Sequence, residues 1–283
     1  MTITSEPPPP GGSGAPEPQR LRLDVAYDGG GFHGFAENAG VRTVAGDLRA
    51  ALERVLRQPV VLTCAGRTDT GVHARGQVVT FDVVGPSPDT TRLRDALNGM
   101  IGPRVVVRSV RSVPPQFDAR FSACWRRYRY LVLAADVPDP FLAATSWWVG
   151  EELDVGAMEA AASTLLGEHD FSSFCRRPRQ VPDVSLVRRV HRASWTASGG
   201  AVAGEGQLLT FEIAASAFCH QMVRSIVGAL VKVGRGRMTA AQTAALLAAR
   251  DRSGAPNLAP PQGLTLWEVG YAPWPPDATE PSV

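Results

Sequence analysis

The 283-residue chain lacks several features that would assign it to particular classes of protein. It has no apolar run long enough to span a membrane, and its N-terminus lacks the basic start and apolar core of a signal peptide. Its four cysteines lie far apart, with no CxxC pair and no histidine at zinc-ligand spacing. We therefore predict a cytoplasmic protein with no membrane segment and no bound metal, whose thiols are reduced and mostly buried.

Lysine is almost absent, since Lys232 is the single lysine among 29 basic residues. The net charge is only +2, but the basic residues are segregated along the chain. Residues 101–135 contain seven arginines and one acid, and residues 171–192 contain six arginines and one acid. Residues 216–238 contain four cations and no acid. Such segregation is typical of proteins that bind a polyanion, and arginine suits phosphate contacts. A GC-rich coding bias is the alternative explanation for the choice of arginine.

Hydrophobic periodicity divides the chain into two similar units. Both ends, 1–19 and 275–283, have no apolar periodicity and are rich in proline, glycine or small polar residues, so we predict disordered tails there. Residues 20–115 follow the order βαββαβ, and residues 116–274 repeat it with one extra helix. This order predicts an α+β fold with two ferredoxin-like or RRM-like halves. The halves would join into an extended, mostly antiparallel sheet with helices on one side and an RNA-binding cleft on the other.

The elements behind this order are read from alternating apolar residues for strands and from capped apolar faces for helices. The predicted strands cover about 21–27, 60–66, 77–83, 105–113, 125–133, 186–197, 207–215 and 264–271. The predicted helices cover about 44–55, 91–100, 155–166 and 219–233, with one more after Thr239.

The most polar motif of the chain lies between two predicted strands, in the run CAGRTDTGVHARGQVVTFD from Cys64 to Asp82. It places Asp69 in a loop on a rigid scaffold, which is where catalytic groups are often found. Arg67, His73 and other polar side chains surround this single acid. The alternative is an ordinary surface hairpin with an Asx turn at Asp69.

A second cluster lies on the predicted strand Trp125 to Leu133. Alternation puts Arg126, Tyr128 and Tyr130 on one face of that strand. Two aromatic rings beside cations can stack a nucleobase and hold its phosphates. The alternative is an edge strand whose arginines are simply solvated.

Arg224 stands near the start of an otherwise strongly apolar helix. An arginine in such surroundings needs a partner in the core or in a cleft. Asp69 is a suitable partner, because an adjacent guanidinium favours the ionised form of a carboxylate. The alternative is that Arg224 occupies the polar edge of the helix.

Several separated motifs give the chain a resemblance to a known family. They are Tyr27-Asp28-Gly29, GRTDxGVHAxxQV, ARFSAxxRRYRY, the run LGEHDF at 166–171, and SAFxHxMVR. In this order they resemble the tRNA pseudouridine synthase A family over about 21–272. The resemblance implies isomerisation of uridine to pseudouridine at positions 38–40 of the tRNA anticodon stem-loop. It also implies a homodimer that uses neither a metal nor an organic cofactor.

Carried over residue by residue, the resemblance implies three catalytic groups. Asp69 is the catalytic aspartate, Tyr128 the active-site tyrosine and Arg224 the arginine that pairs with the aspartate. Arg67 would help to open the RNA. The residues predicted to bind RNA are Arg67, His73, Gln77, Arg126 and Arg127.

The chain departs from the family pattern at Phe35-Ala36, Thr70, Gln221 and Ser225. These departures leave open which uridine of the tRNA is the target. Two other functions remain alternatives. One is a catalytically silent paralogue that binds tRNA without modifying it, which the joint presence of Asp69, Tyr128 and Arg224 argues against. The other is a metal-dependent phosphate-handling enzyme, which would need a second carboxylate near Asp69.

Overall fold

The computed structural model describes residues 18–177, 184–198 and 206–275. The disorder predicted for the two tails concerns residues almost wholly outside these ranges, although the first strand already includes Gln19. The basic segment 171–192 also lies partly outside them. Within the described ranges, no helix is long and apolar enough to cross a membrane.

Ten strands and five α-helices form the described part of the fold. The strands are β1 (Gln19–Tyr27), β2 (Thr63–Cys64), β3 (His73–Val83), β4 (Val105–Ser112), β5 (Trp125–Ala134), β6 (Trp147–Val149), β7 (Gly167–Asp170), β8 (Val187–Ser198), β9 (Gln207–Ala215) and β10 (Leu264–Gly270). The helices are α1 (Val44–Leu56), α2 (Thr90–Ile101), α3 (Val155–Ser163), α4 (Met222–Gly234) and α5 (Ala240–Ala249).

One sheet contains all ten strands, in the main order β4-β1-β3-β10-β5-β9-β8-β7. The last strand, β10, lies in the middle, parallel to β3 and antiparallel to β5, so it joins the strands of the first half to those of the second. Strands β2 and β6 pair with β3 and β5 outside this main order. The α+β class and the extended, mostly antiparallel sheet are confirmed, while the division of the chain near residue 115 stays a prediction.

The helix starts follow the predicted capping chemistry. The Thr43 hydroxyl accepts a hydrogen bond from Gly46 N at the start of α1, and Asp154 caps α3 through Ala157 N. Thr239 and Gln242 form a reciprocal capping box at the start of α5.

Some element boundaries differ from the predicted ones for identifiable reasons. Helix α4 begins at Met222, three residues later than predicted, because Gln221 has a left-handed backbone (φ 66°) that a helix cannot include. The strand predicted at 60–66 contains only Thr63 and Cys64, whereas β3 begins early, at His73. The short strands β6 and β7 were not predicted, since three or four residues carry almost no periodic signal.

The cleft does not lie on the side of the sheet that the sequence predicted. Cross-strand pairing puts Tyr27, Ala74, Leu266 and Tyr128 in one row. These side chains share one continuous core with the buried apolar residues of α1 and α4. The cleft is lined by Tyr128 from this row and by residues of both helices. It therefore opens on the face that carries the helices, not on the opposite face as predicted.

The cysteines also differ from the prediction of four reduced thiols. Cys175 and Cys219 form a disulfide with Cα atoms 5.8 Å apart, because the segment after Phe174 lies against the segment before α4. A backbone hydrogen bond from Arg176 N to the His220 carbonyl, 2.9 Å long, connects the same two segments. Of the free cysteines, Cys64 is half-buried and Cys124 is exposed, so most of the thiols are not buried either.

Candidate active site

A cleft of about 1310 Å³ lies between the two halves of the sheet. Its walls come from the β2–β3 loop, from the side chains of Arg126 and Tyr128 on β5, and from the segment 217–224 that leads into α4. Residues 33–38 close another side. Asp69 is among the lining residues, so the predicted catalytic loop faces the cavity.

Buried hydrogen bonds fix the loop that carries Asp69. The Gln77 side chain is fully buried, and its amide nitrogen donates to the Gly66 carbonyl at 2.6 Å while its oxygen accepts from Gly66 N at 3.4 Å. The hydroxyls of Tyr27 and Thr68 share a 2.7 Å hydrogen bond. Gly71, at φ 77°, then reverses the chain into β3. Asp69 therefore projects from a backbone held on both sides.

Arg126 supports the same loop from the floor of the cleft. Its guanidinium donates to the carbonyls of Ala65 and Arg120, at 3.0 and 2.7 Å, and to those of Ala123 and Ser216, each at 3.1 Å. Burial lowers the pKa of Arg126, but an arginine stays charged in proteins. Because these donors are occupied, the Arg126 side chain holds four backbone carbonyls together and has few donors left for a ligand.

Two cationic or hydrogen-bonding side chains contact the two oxygens of Asp69. Arg224 Nη1 lies 3.5 Å from Asp69 Oδ2, and His220 Nε2 lies 3.3 Å from Asp69 Oδ1. The Arg224 Nε donates to the Ala259 carbonyl at 2.8 Å, which fixes the guanidinium. The Asp69 side chain keeps 27% of its surface exposed. The carboxylate is thus oriented at both oxygens and still open to the cleft.

Tyr128 presents its ring and hydroxyl to the same cavity. The ring packs edge-on against Phe218, with centroids 5.0 Å apart, and the hydroxyl forms no hydrogen bond within residues 18–177, 184–198 and 206–275. Burial raises the pKa of Tyr128, and this outweighs the opposing effect of the Arg126 charge, while the charge of Asp69 raises it further. The phenol is therefore protonated at neutral pH and free to bond with a ligand.

Arg67 is exposed and lines the cleft, and its side chain has no ion-pair partner in the described part of the chain. Cys64 lines the cleft too, but burial raises the pKa of its thiol to about 11. It is therefore a neutral thiol at physiological pH, which makes it a poor nucleophile.

Three residues predicted to bind RNA lie elsewhere. His73 is buried, with Nδ1 accepting from Gly29 N and Nε2 within 3.1 Å of two backbone carbonyls. Gln77 is buried and hydrogen-bonds the backbone of Gly66, as described above. Arg127 points to the opposite face of the sheet, where it pairs with Glu268 and Glu212, because neighbouring side chains on a strand alternate between faces. None of these three residues is among those that line the cleft, and their contact with RNA stays a prediction.

His220 is the residue at the carboxylate that the sequence prediction missed. The left-handed backbone of Gln221 turns the chain between His220 and α4, and Arg252 Nη2 holds the Gln221 side-chain oxygen at 2.7 Å. The available signal was a histidine four residues before Arg224 in the SAFxHxMVR motif. No sequence rule says that a residue in the loop before a helix contacts the same partner as a residue inside that helix.

Comparisons with known proteins agree with these motifs. The family model described as tRNA pseudouridine synthase matches residues 25–122 and 161–272. The tRNA pseudouridine synthase A of Leifsonia xyli is 42% identical, over 89% of this chain and 91% of its own length. That of Frankia casuarinae is 44% identical over 90% of both chains, and that of Neisseria gonorrhoeae 42% identical over 89% of this chain and 92% of its own.

Among solved structures, an archaeal box H/ACA sRNP Nop10–Cbf5 complex aligns with 75% of this chain and 44% of its own. Its TM-score of 0.30 and 11% identity are too low to support a conclusion. The family model covers most of the chain, and the relatives cover about nine-tenths of it at over 40% identity, so these two comparisons are sufficient by themselves. The chain belongs to the tRNA pseudouridine synthase family.

Proposed function

We propose that this protein isomerises uridine to pseudouridine in tRNA, with Asp69 as the reacting carboxylate. The observation that carries the proposal is the contact of Arg224 and His220 with opposite oxygens of Asp69, beside the free hydroxyl of Tyr128. The family and the relatives named above support the same reaction. They give no support to a catalytically silent tRNA-binding paralogue.

The reaction rearranges one nucleotide without gain or loss of atoms, apart from exchange of protons. The bond from N1 of uracil to C1′ of the ribose breaks, the base turns in place, and C5 bonds to C1′. The C5 proton then leaves to solvent and N1 gains a proton. An ionised Asp69 can attack the sugar or stabilise the positive charge that develops on it. Its fixed orientation removes the need to rearrange during the reaction.

Tyr128 is suited to hold the base while it turns. Its ring forms a wall of the cleft, so it can contact a flipped-out uracil face or edge. A protonated phenol can accept the proton from C5 only if it passes its own proton on. Tyr128 can therefore serve as a relay when a water or a substrate oxygen stands beside it.

Binding of tRNA calls for cations at the mouth of the cleft and for extrusion of the target nucleotide. Arg67, exposed and two residues before Asp69, is the residue we assign to the phosphates next to that nucleotide. We further propose uridines 38–40 of the anticodon stem-loop as targets, and a cytoplasmic homodimer as the working form. Sedimentation velocity on the purified chain tests the dimer, and a single monomeric species at micromolar concentration would contradict it.

The substrate assignment is tested with tRNA transcripts that carry tritium at uridine C5. We expect the wild-type chain to release tritium from a transcript whose candidate uridines lie at 38–40. A matched transcript with cytidine at these three positions should release none. Release from both transcripts would place the target elsewhere, and release from neither would contradict the proposed reaction.

A further inference from the structure

The turn before β5 holds a phenylalanine in an unusual position. The Asp118 carboxylate accepts hydrogen bonds from the backbone nitrogens of Arg120 and Phe121, at 2.7 and 2.8 Å. Ser122 bonds to Asp118 through both its hydroxyl and its backbone nitrogen, each at 3.0 Å. The buried Arg126 holds the Arg120 carbonyl from below. The backbone of Phe121 is therefore fixed before any ligand binds.

This fixed turn displays the Phe121 ring instead of burying it. The side chain is 80% exposed, although the chain has a large core that encloses other phenylalanines such as Phe171, Phe174 and Phe211. Phe121 also lines the same cleft as Asp69 and Tyr128. A rigid, exposed aromatic ring at the edge of a cleft offers a flat apolar surface to whatever enters.

The charges around the ring favour an anionic ligand that also has flat rings. The Arg120 guanidinium lies 5.3 Å from the centre of the Phe121 ring, and Arg67 lines the same cleft. Neither arginine forms an ion pair with a carboxylate in the described ranges, so both are available to phosphates. Aromatic rings combined with unpaired cations are the features that hold unstacked nucleotides.

We propose that Phe121 is a base-stacking site for a nucleotide that flanks the target uridine, with Arg120 and Arg67 on the adjoining phosphates. The inference rests on the proposed function only in taking RNA as the ligand. A base displaced when the target is flipped out would regain on Phe121 part of the stacking that it loses in the RNA. Stacking on one aromatic side chain corresponds to about a five- to hundredfold gain in affinity.

The test is equilibrium binding of an unmodified tRNA transcript to the full chain across a range of salt concentrations. Phe121→Ala should weaken binding about five- to hundredfold without changing the slope of log affinity against log salt, because stacking releases no counterions. Phe121→Trp should keep the affinity, and Phe121→Leu should lose most of it. Arg120→Ala should instead reduce the salt slope by about one ion.

Phe141→Ala is the matched control, since Phe141 is 93% exposed but does not line the cleft. It should bind tRNA like the wild type. The inference is overturned if Phe121→Ala binds within twofold of the wild type, or if Phe121→Leu binds as well as Phe121→Trp. It is also overturned if the wild type shows no tRNA binding. The binding test measures no turnover, so it is independent of the tritium-release assay. If the wild type binds tRNA but releases no tritium in that assay, the proposed reaction is contradicted and the stacking site is not.

Discussion

At the scale of single residues, the site is built around a carboxylate whose two oxygens have different partners. Arg224 is anchored through Ala259 and approaches one oxygen, while His220 approaches the other from the segment before α4. The two contacts hold the carboxylate plane in one orientation. The remaining open direction faces the cleft, where the ribose of a flipped nucleotide would lie.

His220 is expected to act as a positioning residue for Asp69. His220→Ala should lower kcat about tenfold while tRNA affinity stays within twofold, since the histidine orients the carboxylate and is not needed to hold RNA. His220→Gln keeps an N–H donor near the same place and should recover most of the loss. Single-turnover tritium release and filter binding measure the two quantities. Equal loss in both variants would contradict a positioning role.

The Tyr128 hydroxyl can be tested against a neighbour on the same strand and face. Tyr128→Phe should keep stability nearly unchanged, because the hydroxyl has no partner in the described residues, but should lower kcat about 10²- to 10⁴-fold. Tyr130→Phe is the control, because its hydroxyl donates to the Pro260 carbonyl at 2.7 Å. It should lose about 1 kcal/mol of stability and retain activity. The reverse pattern in thermal unfolding and tritium release would refute the assignment.

At the scale of elements, the β2–β3 loop depends on buried polar side chains from the strands beside it. The sequence predicts that Gln77 and Arg126 bind RNA. In the structure both side chains donate hydrogen bonds to the backbone of this loop and its neighbours. These hydrogen bonds attach the start of the loop to β3 and β5. A loop supported in this way holds the Asp69 carboxylate toward the cleft.

A prediction on Gln77 follows from this support. Gln77→Leu removes both hydrogen bonds to Gly66 and should cost about 1–3 kcal/mol of unfolding free energy, because Gly66 loses its buried partners. It should also lower kcat. Gln58→Leu is the control: Gln58 makes the same two-bond pattern to Val84, but outside the cleft and exposed to solvent. That variant should lose less stability and keep full activity in urea unfolding and tritium release.

Periodicity and capping predicted most elements, since Thr43, Asp154 and Thr239 cap helices as their sequence contexts indicate.

Local patterns could not predict which polar side chains face the cleft. Gln77 and Arg127 show why, because a strand side chain's role depends on the register of its neighbours. The pairing of Cys175 with Cys219 likewise depends on two loops, 44 residues apart, meeting in space.

At the scale of the whole molecule, the two sides of the sheet have different chemistry. The helix-covered side holds the core and the cleft. On the other side arginines and acids form a polar layer, in which Asp24 accepts hydrogen bonds from Ser109, Arg22 and Arg111. The side on which the cleft opens could not be predicted from element order, because that order is compatible with a site on either face.

Asp24 gives this layer a defined pH dependence. Burial opposes its charge, but hydrogen bonds from Ser109 and both arginines, with the charge of Arg22, outweigh burial and lower the pKa of Asp24. A lowered folded-state pKa gives stability that is present above about pH 4 and is lost as the pH falls through the folded value. Asp24→Asn should therefore cost about 1–3 kcal/mol at pH 7. In urea unfolding the difference from wild type should shrink below pH 4, and a constant difference would argue against this role.

The most direct test of the central claim compares the wild type with Asp69→Asn in tritium release from C5-labelled tRNA. The substitution keeps the shape of the side chain but removes the carboxylate charge. We expect release to fall by roughly 10³-fold or more while tRNA binding stays within a few-fold. Equal release from the two proteins would contradict the role of Asp69 as the reacting carboxylate.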